Sequence, residues 1–187
     1  MRIVGGAYKG RALSAPKGRD LRPTSDRVRE SLFNILEHGV DGFDLDGISA
    51  VDGFAGTGAL GLEALSRGAR KVAFLDNAAA ALDAVKANIR ALGIEGTAIA
   101  LRLDATRPPP PPGILEAPCG LVLLDPPYQS GLAAPALSAL AAKGWIADGA
   151  VCVVEVAAKE PFEPPTGFEL FDERTYGAAR LILLRYR

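Results

Sequence analysis

The sequence predicts an α/β fold built on a mostly parallel sheet. Three observations carry that prediction. From residue 48 onward, short apolar runs alternate with segments of helical periodicity, the rhythm of successive βαβ units. The runs are apolar almost throughout, which suits strands covered on both faces. Each of the first four ends on a carboxylate: residues 48–51 lead to Asp52, 71–75 to Asp76, 97–103 to Asp104 and 121–124 to Asp125. Ligands of such sheets bind outside the carboxyl ends of the strands, so four acids along that edge are expected to line a site.

The elements follow in order. Ile3-Val4 and the stretch 8–13 flank Gly5-Gly6, a plausible tight turn, and read as a small hairpin. Residues 14–25 carry Pro16, Gly18 and Pro23 and read as a loop. A helix follows, with Thr24, Ser25 or Asp26 as its cap, Val28, Leu32, Ile35 and Leu36 on one face, and Gly39 at its end. His38 at that end suits the helix dipole. Further helices are expected over 59–67, 78–92 and 131–142. In the second of these Leu82, Val85, Ile89 and Leu92 share a face. The third connection holds five consecutive prolines, Pro108 to Pro112, and reads as a surface loop, because proline can join neither a helix interior nor a central strand. A strand near 150–156 and a pair near 168–175 and 179–186 complete the chain. Residues 1–25 are expected to form a basic arm, and 26–187 one compact domain.

Composition narrows the function classes. The chain has 187 residues, 49% hydrophobic and 23% charged, enough for one domain with a sizeable core. No apolar stretch has membrane-spanning length, and the first residues lack the apolar core of a signal peptide, so a cytoplasmic protein is expected. Cys119 and Cys152 each lie in an apolar run and read as reduced core residues. With one histidine and no Cys/His cluster, no metal site is expected. Net charge is −1, yet residues 1–29 hold eight basic and two acidic side chains, which makes that segment +6 and the remainder −7. A basic arm on an acidic body suits a polyanionic partner, and it also suits a merely solvated terminus.

The segment 52–61 follows the first predicted strand and opens a helix. Gly56, Gly58 and Gly61 spell G-x-G-x-x-G, a pattern that permits a tight turn and close backbone approach to a ligand. Asp76 lies 18 residues after Gly58, where a carboxylate would accept from both hydroxyls of a ribose. Together these features call for an adenosine-containing ligand, either NAD or S-adenosylmethionine. Asp52 favours the second, because a carboxylate at the end of the first strand would complement an ammonium. The expected cofactor set also includes Phe54 and Thr57 in the loop, Asn77 beside Asp76, and Asp104 with Ala105. Asp104 either accepts from the adenine amino group or caps a turn.

Asp125-Pro126-Pro127-Tyr128 decides between the cofactors. Two prolines stiffen the backbone after a buried strand and remove two donors, leaving the local carbonyls as acceptors. A carboxylate, a rigid carbonyl and an aromatic ring then converge, as the exocyclic amine of a nucleobase requires. Its lone pair is delocalised into the ring. Acceptors on its two hydrogens pull the nitrogen toward tetrahedral geometry and free that pair, while Tyr128 stacks on the base. The expected catalytic residues are therefore Asp125, Pro126, Pro127 and Tyr128. The same chemistry serves guanine and adenine.

At these residues the chain resembles the RsmD-type enzymes, which methylate guanine N2 in small-subunit 16S ribosomal RNA. The matching stretches are residues 1–6 with Lys9-Gly10-Arg11, residues 21–34, 52–67 and 125–128, Gly144-Trp145 and Tyr176-Gly177. Residues 22–34 are the most specific part. The resemblance implies a Rossmann-like methyltransferase fold, with a seven-stranded, mostly parallel sheet and an N-terminal β-hairpin extension. It implies S-adenosylmethionine over Gly56 and Gly58 with Asp76 on its ribose, and guanine held by Asp125, Pro126 and Tyr128. It further implies that the basic N-terminal region, with Arg2, Lys9, Arg11, Arg22, Arg27 and Arg29, grips 16S rRNA presented in a small-subunit ribosomal particle; a monomer is expected. Two departures stand out. Ala78 replaces an acid that relatives often carry two positions after the ribose carboxylate, and the proline run has no counterpart in the pattern. Three competing readings remain at this level: an adenine-N6 methyltransferase on DNA or RNA, an NAD-dependent oxidoreductase, and a non-catalytic RNA-binding module. Arg27 and Arg29 also admit a structural ion-pair role. Trp145 reads as packing, while Tyr8 and Tyr176 are undecided.

Overall fold

The computed structural model describes residues 1–15 and 25–187. Helix α1 spans Asp26–His38; strand β1 Ser49–Gly53, helix α2 Ala59–Ser66, strand β2 Lys71–Leu75, helix α3 Ala79–Leu92, strand β3 Ala98–Leu101, strand β4 Cys119–Leu124, helix α4 Ala133–Ala142, and strands β5 Ile146–Ala157, β6 Phe168–Tyr176 and β7 Ala179–Tyr186 follow. One sheet of seven strands runs in the order β3-β2-β1-β4-β5-β7-β6. The first five strands pair in parallel, and β7 joins β5 and β6 antiparallel. The predicted mostly parallel α/β sheet is therefore the architecture found.

Strand β4 and Ala50-Val51 of β1 are apolar where both faces of the sheet are covered. On one face Ala50, Leu121, Leu123, Val151 and Val153 pack with Leu32, Phe33 and Leu36 of α1 and Leu62 of α2. On the other, Val51, Val122, Leu124, Cys152 and Val154 pack with Leu137 and Leu140 of α4. Helix α1 starts where Ser25 Oγ accepts from Val28 N at 3.2 Å, and it ends at Gly39. Cys119 and Cys152 are buried thiols, and desolvation raises both pKa values, that of Cys119 to about 12.

Three local features differ from expectation. The hairpin's turn is not at Gly5-Gly6. Arg2 bridges Ala12, and Ile3 N donates to Arg11 O at 3.0 Å, so the connection is a wider loop. That loop lies on the end of α2, where Ala7 N donates to Ser66 O at 2.7 Å and a Cβ on Gly6 would fall 1.8 Å from the same oxygen. Strand β5 begins at Ile146, several residues earlier than expected, and a register irregularity between the Cys119 and Leu121 pairings accommodates Asp148 and Gly149. The proline run is partly structural. Pro108 is buried, and Pro109 O accepts from the indole Nε1 of buried Trp145 at 2.7 Å, which makes Trp145 a packing residue.

Candidate active site at the carboxyl edge of the sheet

Strands β1 and β4 are neighbours, with Gly53 paired to Leu124. Their following loops therefore start side by side. In the first loop Phe54 takes φ 60°, Gly56 56° and Gly58 79°. A left-handed phenylalanine is uncommon and marks a backbone held by its surroundings. An added Cβ on Gly56 would meet only Phe54 O, at 4.0 Å, so this glycine faces open space for a ligand. Gly61 differs: its Cβ would lie 2.4 Å from Phe74 Cε1, and it serves the packing of α2 on β2.

Two carboxylates shape this loop. Asp52 is 1% exposed and accepts from Gly61 N at 2.8 Å. Burial raises its pKa to about 8, the nearby Asp76 charge adds to the rise, and the Gly61 N–H opposes it. Asp76 accepts from Gly56 N at 3.0 Å through one oxygen and from Ala78 N at 2.8 Å through the other. A carboxylate has about four lone-pair sites, so these bonds orient Asp76 without exhausting it. Thr57 is buried, its carbonyl accepting from Asn88 Nδ2 at 3.0 Å. Asn77 is exposed, and its carbonyl accepts from Arg102 Nε at 3.3 Å. Asp104 accepts from both the N–H and the hydroxyl of Thr106, at 2.8 and 2.7 Å, which is the turn-capping geometry; these bonds, the hydroxyl first, lower its pKa. Ala105 is buried against the Gly53 position.

In the second loop Asp125 N donates to Gly53 O at 3.4 Å, extending the β1–β4 ladder into the loop. Pro126 is buried and Pro127 exposed. Tyr128 OH donates to Glu155 Oε1 at 2.9 Å. Gln129 has φ 57°, and its N–H donates to Glu160 Oε2 at 2.8 Å. Glu155 and Glu160 were absent from the expected set. The signal for Glu155 was available: it interrupts the apolar run Val151-Cys152-Val153-Val154-Glu155-Val156 and is 4% exposed.

The basic N-terminal residues separate into distinct environments. Arg29 requires a correction: it is fully buried and offers no surface to a polyanion. It pairs with Asp26 at 2.8 Å and Glu63 at 3.6 Å and donates to Arg2 O. Glu63 in turn holds Arg67 at 2.8 Å and accepts from Val4 N at 2.9 Å, so this ionic cluster fastens the N-terminal segment to α2. Arg11 is exposed but donates to Ala91 O at 2.6 Å in the last turn of α3. Arg2 is exposed and lies 3.6 Å from Asp26. Lys9 and Arg27 are exposed. Arg22 lies outside the described residues. Tyr176 OH and Ser31 Oγ are 2.6 Å apart, joining β6 to α1.

The residues fit S-adenosylmethionine on structural grounds. A buried carboxylate whose pKa is raised by desolvation gains from an arriving cation, and Asp52 would meet one in the cofactor's ammonium. The open cradle at Gly56 and the preset Asp76 match a nucleoside held by its ribose. Fold and site define an S-adenosylmethionine-dependent methyltransferase. The family described as Conserved hypothetical protein 95 matches residues 1–185. Ribosomal RNA small subunit methyltransferase D of Haemophilus influenzae is 34% identical over 181 residues, covering 95% of this chain and 89% of that protein. The Escherichia coli K12 protein of the same name is 35% identical over 178 residues, covering 95% and 85%. A solved Escherichia coli structure, described as a candidate methyltransferase, superposes with a TM-score of 0.82 at 33% identity, covering 100% of this chain and 98% of that one. The chain belongs to the ribosomal RNA small subunit methyltransferase D family.

Proposed function

We propose that this protein transfers the methyl group of S-adenosylmethionine to the exocyclic N2 of a guanine in 16S rRNA. The observation that carries the proposal is the 125–128 loop standing beside the glycine loop on paired strands. The names of the relatives supply the rRNA.

When bound, the cofactor supplies an electrophilic methyl group on a sulfonium with a good leaving group. Asp52 would complement its ammonium and Asp76 would accept from its ribose diol. Asp125 and the Pro126 carbonyl accept the two amine hydrogens, which exposes the nitrogen lone pair. Tyr128 stacks on the base, its ring held by the bond to Glu155. With the base held by Asp125, Pro126 and Tyr128 and the cofactor by Asp52 and Asp76, positioning of the two reactants would supply much of the acceleration. Asp125 takes up the proton that the methylated amine releases.

Residues 1–25 serve as a basic arm on the catalytic domain. Arg2, Lys9 and Arg27 contact phosphate, and Arg22 and Arg11 assist. The enzyme works as a cytoplasmic monomer on a small-subunit ribosomal particle. Labelled S-adenosylmethionine and 30S particles from a strain lacking the activity should yield N2-methylguanosine on nucleoside analysis. Absence of transfer with cofactor binding demonstrated overturns the proposal, as does N6-methyladenosine as the product.

A further inference from the structure

We propose that Glu155 is the residue that selects guanine, by accepting the N1–H of the target base while Asp125 engages the neighbouring N2 amine. The inference rests on the function proposed above and specifies how that site reads its base.

Placement comes first. Val154 pairs with Leu124 across β5 and β4, so Glu155 and Asp125 each stand one residue beyond that pair, at the same level of the carboxyl edge. Neighbouring strands are about 4.8 Å apart, which brings the two residues within the width of one base edge. Leu121, Leu123, Val151 and Val153 share the α1 face of the sheet; strand alternation puts Glu155 on that same face, and Asp125, whose N–H continues the β1–β4 ladder, follows Leu123 in the same alternation. The bond from Tyr128 OH to Glu155 Oε1 sets the carboxylate at the hydroxyl end of the ring proposed to stack on the base. A base lying on that ring presents an edge toward the carboxylate. Glu155 is 4% exposed, so its interactions are little weakened by water.

The chemistry of the base edge then decides. Guanine offers N1–H and N2–H₂, adjacent donors that suit two adjacent carboxylates. Adenine offers an amine beside N1, which is a bare acceptor. A carboxylate facing that lone pair is repelled, and nothing pairs with it. Asp125 and the proline carbonyl cannot make this distinction, because they address only the amine. Glu155 performs it without touching the reacting nitrogen, which makes it a specificity residue.

The test uses 16S rRNA carrying one 2,6-diaminopurine at the mapped target, made by splinted ligation and assembled into 30S particles. This base keeps the N2 amine and replaces the N1 donor with an acceptor. The wild-type enzyme should methylate it about 10- to 100-fold more slowly, in kcat/KM, than guanine. Glu155→Gln keeps an oxygen for Tyr128 and adds an N–H₂ donor. It should lose activity on guanine, gain relative activity on diaminopurine and narrow the ratio at least about tenfold, with unchanged affinity for S-adenosylhomocysteine as the control for folding. Equal wild-type rates on the two bases overturn the inference, as does an unaltered ratio in Glu155→Gln. If the wild-type enzyme yields no N2-methylguanosine on the natural substrate, the proposed function itself fails. Should Glu155→Gln not fold, the wild-type ratio alone decides.

Discussion

The loops after β1 and β4 begin from paired residues and solve opposite problems. The first uses glycine where the proposed cofactor would approach the backbone, and Gly56 keeps an open cradle there. The second uses consecutive prolines to forbid motion. Both nevertheless contain a left-handed residue that is not glycine, Phe54 in one and Gln129 in the other. Both are also tied by a carboxylate from the next strand outward, Asp76 to Gly56 N and Glu160 to Gln129 N. The difference lies in what the tie does. Asp76 is itself proposed to bind the ribose, so loop shape and cofactor binding share one group. Glu160 braces the loop, and the substrate roles are proposed for Asp125 and Tyr128. Cofactor affinity and chemistry should therefore be separable by mutation.

Asp125→Ala should break the second loop alone. Turnover is expected to fall roughly 10²- to 10³-fold, the usual cost of losing one polar group aimed at the reacting centre, with S-adenosylhomocysteine affinity within about twofold of wild type. Asp76→Ala should do the reverse. It removes two loop bonds as well as the ribose acceptor, and titration calorimetry should show cofactor affinity about 10- to 100-fold weaker. The opposite pattern in the two variants would mean that the roles of the loops are exchanged.

Asp52 sharpens the comparison through pH. Burial raises its pKa from 3.8 to about 8, so between those values the fold holds a proton that the unfolded chain has released. The stability contributed by that proton is fully present below the unfolded value and is lost as pH rises through the folded one. Wild-type melting temperature without cofactor should drop between pH 6 and 8. Asp52→Asn should reduce that drop by about 5 °C. Cofactor affinity of the wild type should rise over the same window, because the ammonium selects the ionised carboxyl; a flat affinity profile contradicts that pairing. The smallest effect belongs to Pro127→Ala. Pro127 is exposed, so no cavity forms, and the loss of preset backbone should reduce turnover about two- to fivefold. A larger loss in cofactor affinity than in turnover would show that the two loops are not separable.

The sheet is legible because buried parallel strands are written as contiguous apolar runs, and three of the four edge acids, Asp52, Asp76 and Asp125, stand in or against the two loops of the candidate site. Strand β5 begins before its apolar run, because Asp148-Gly149 forms an irregularity inside a paired strand rather than a boundary. Gly5-Gly6 does not mark the hairpin turn: Gly6 answers to close approach against Ser66 and Gly5 to the Arg67 guanidinium, tertiary contacts invisible from local sequence. The sequence admits both an RNA contact and an ion-pair role for Arg29, and only the fold decides for the second, because the partner Glu63 lies 34 positions away on α2. Glu155 escapes the pattern of acids at strand ends, because β5 continues past it to Ala157. Asp104 shows the limit differently: both expected roles suit a carboxylate after a strand, and only the Thr106 bonds reveal turn capping.

Trp145 gives all these variants a common optical gauge. It is the only tryptophan in the chain. Its indole is fully buried and bonded to Pro109 O, where Cys119 N donates to its carbonyl at the amino end of β4. The Cys119–Leu124 stretch of β4 sets it roughly 17 Å of strand from the loop at Asp125. Its fluorescence should therefore report loss of the core and stay indifferent to ligands at the opposite edge. A red shift on denaturation then measures folding alone, so a variant that binds poorly can be told from one that is partly unfolded in the same cuvette.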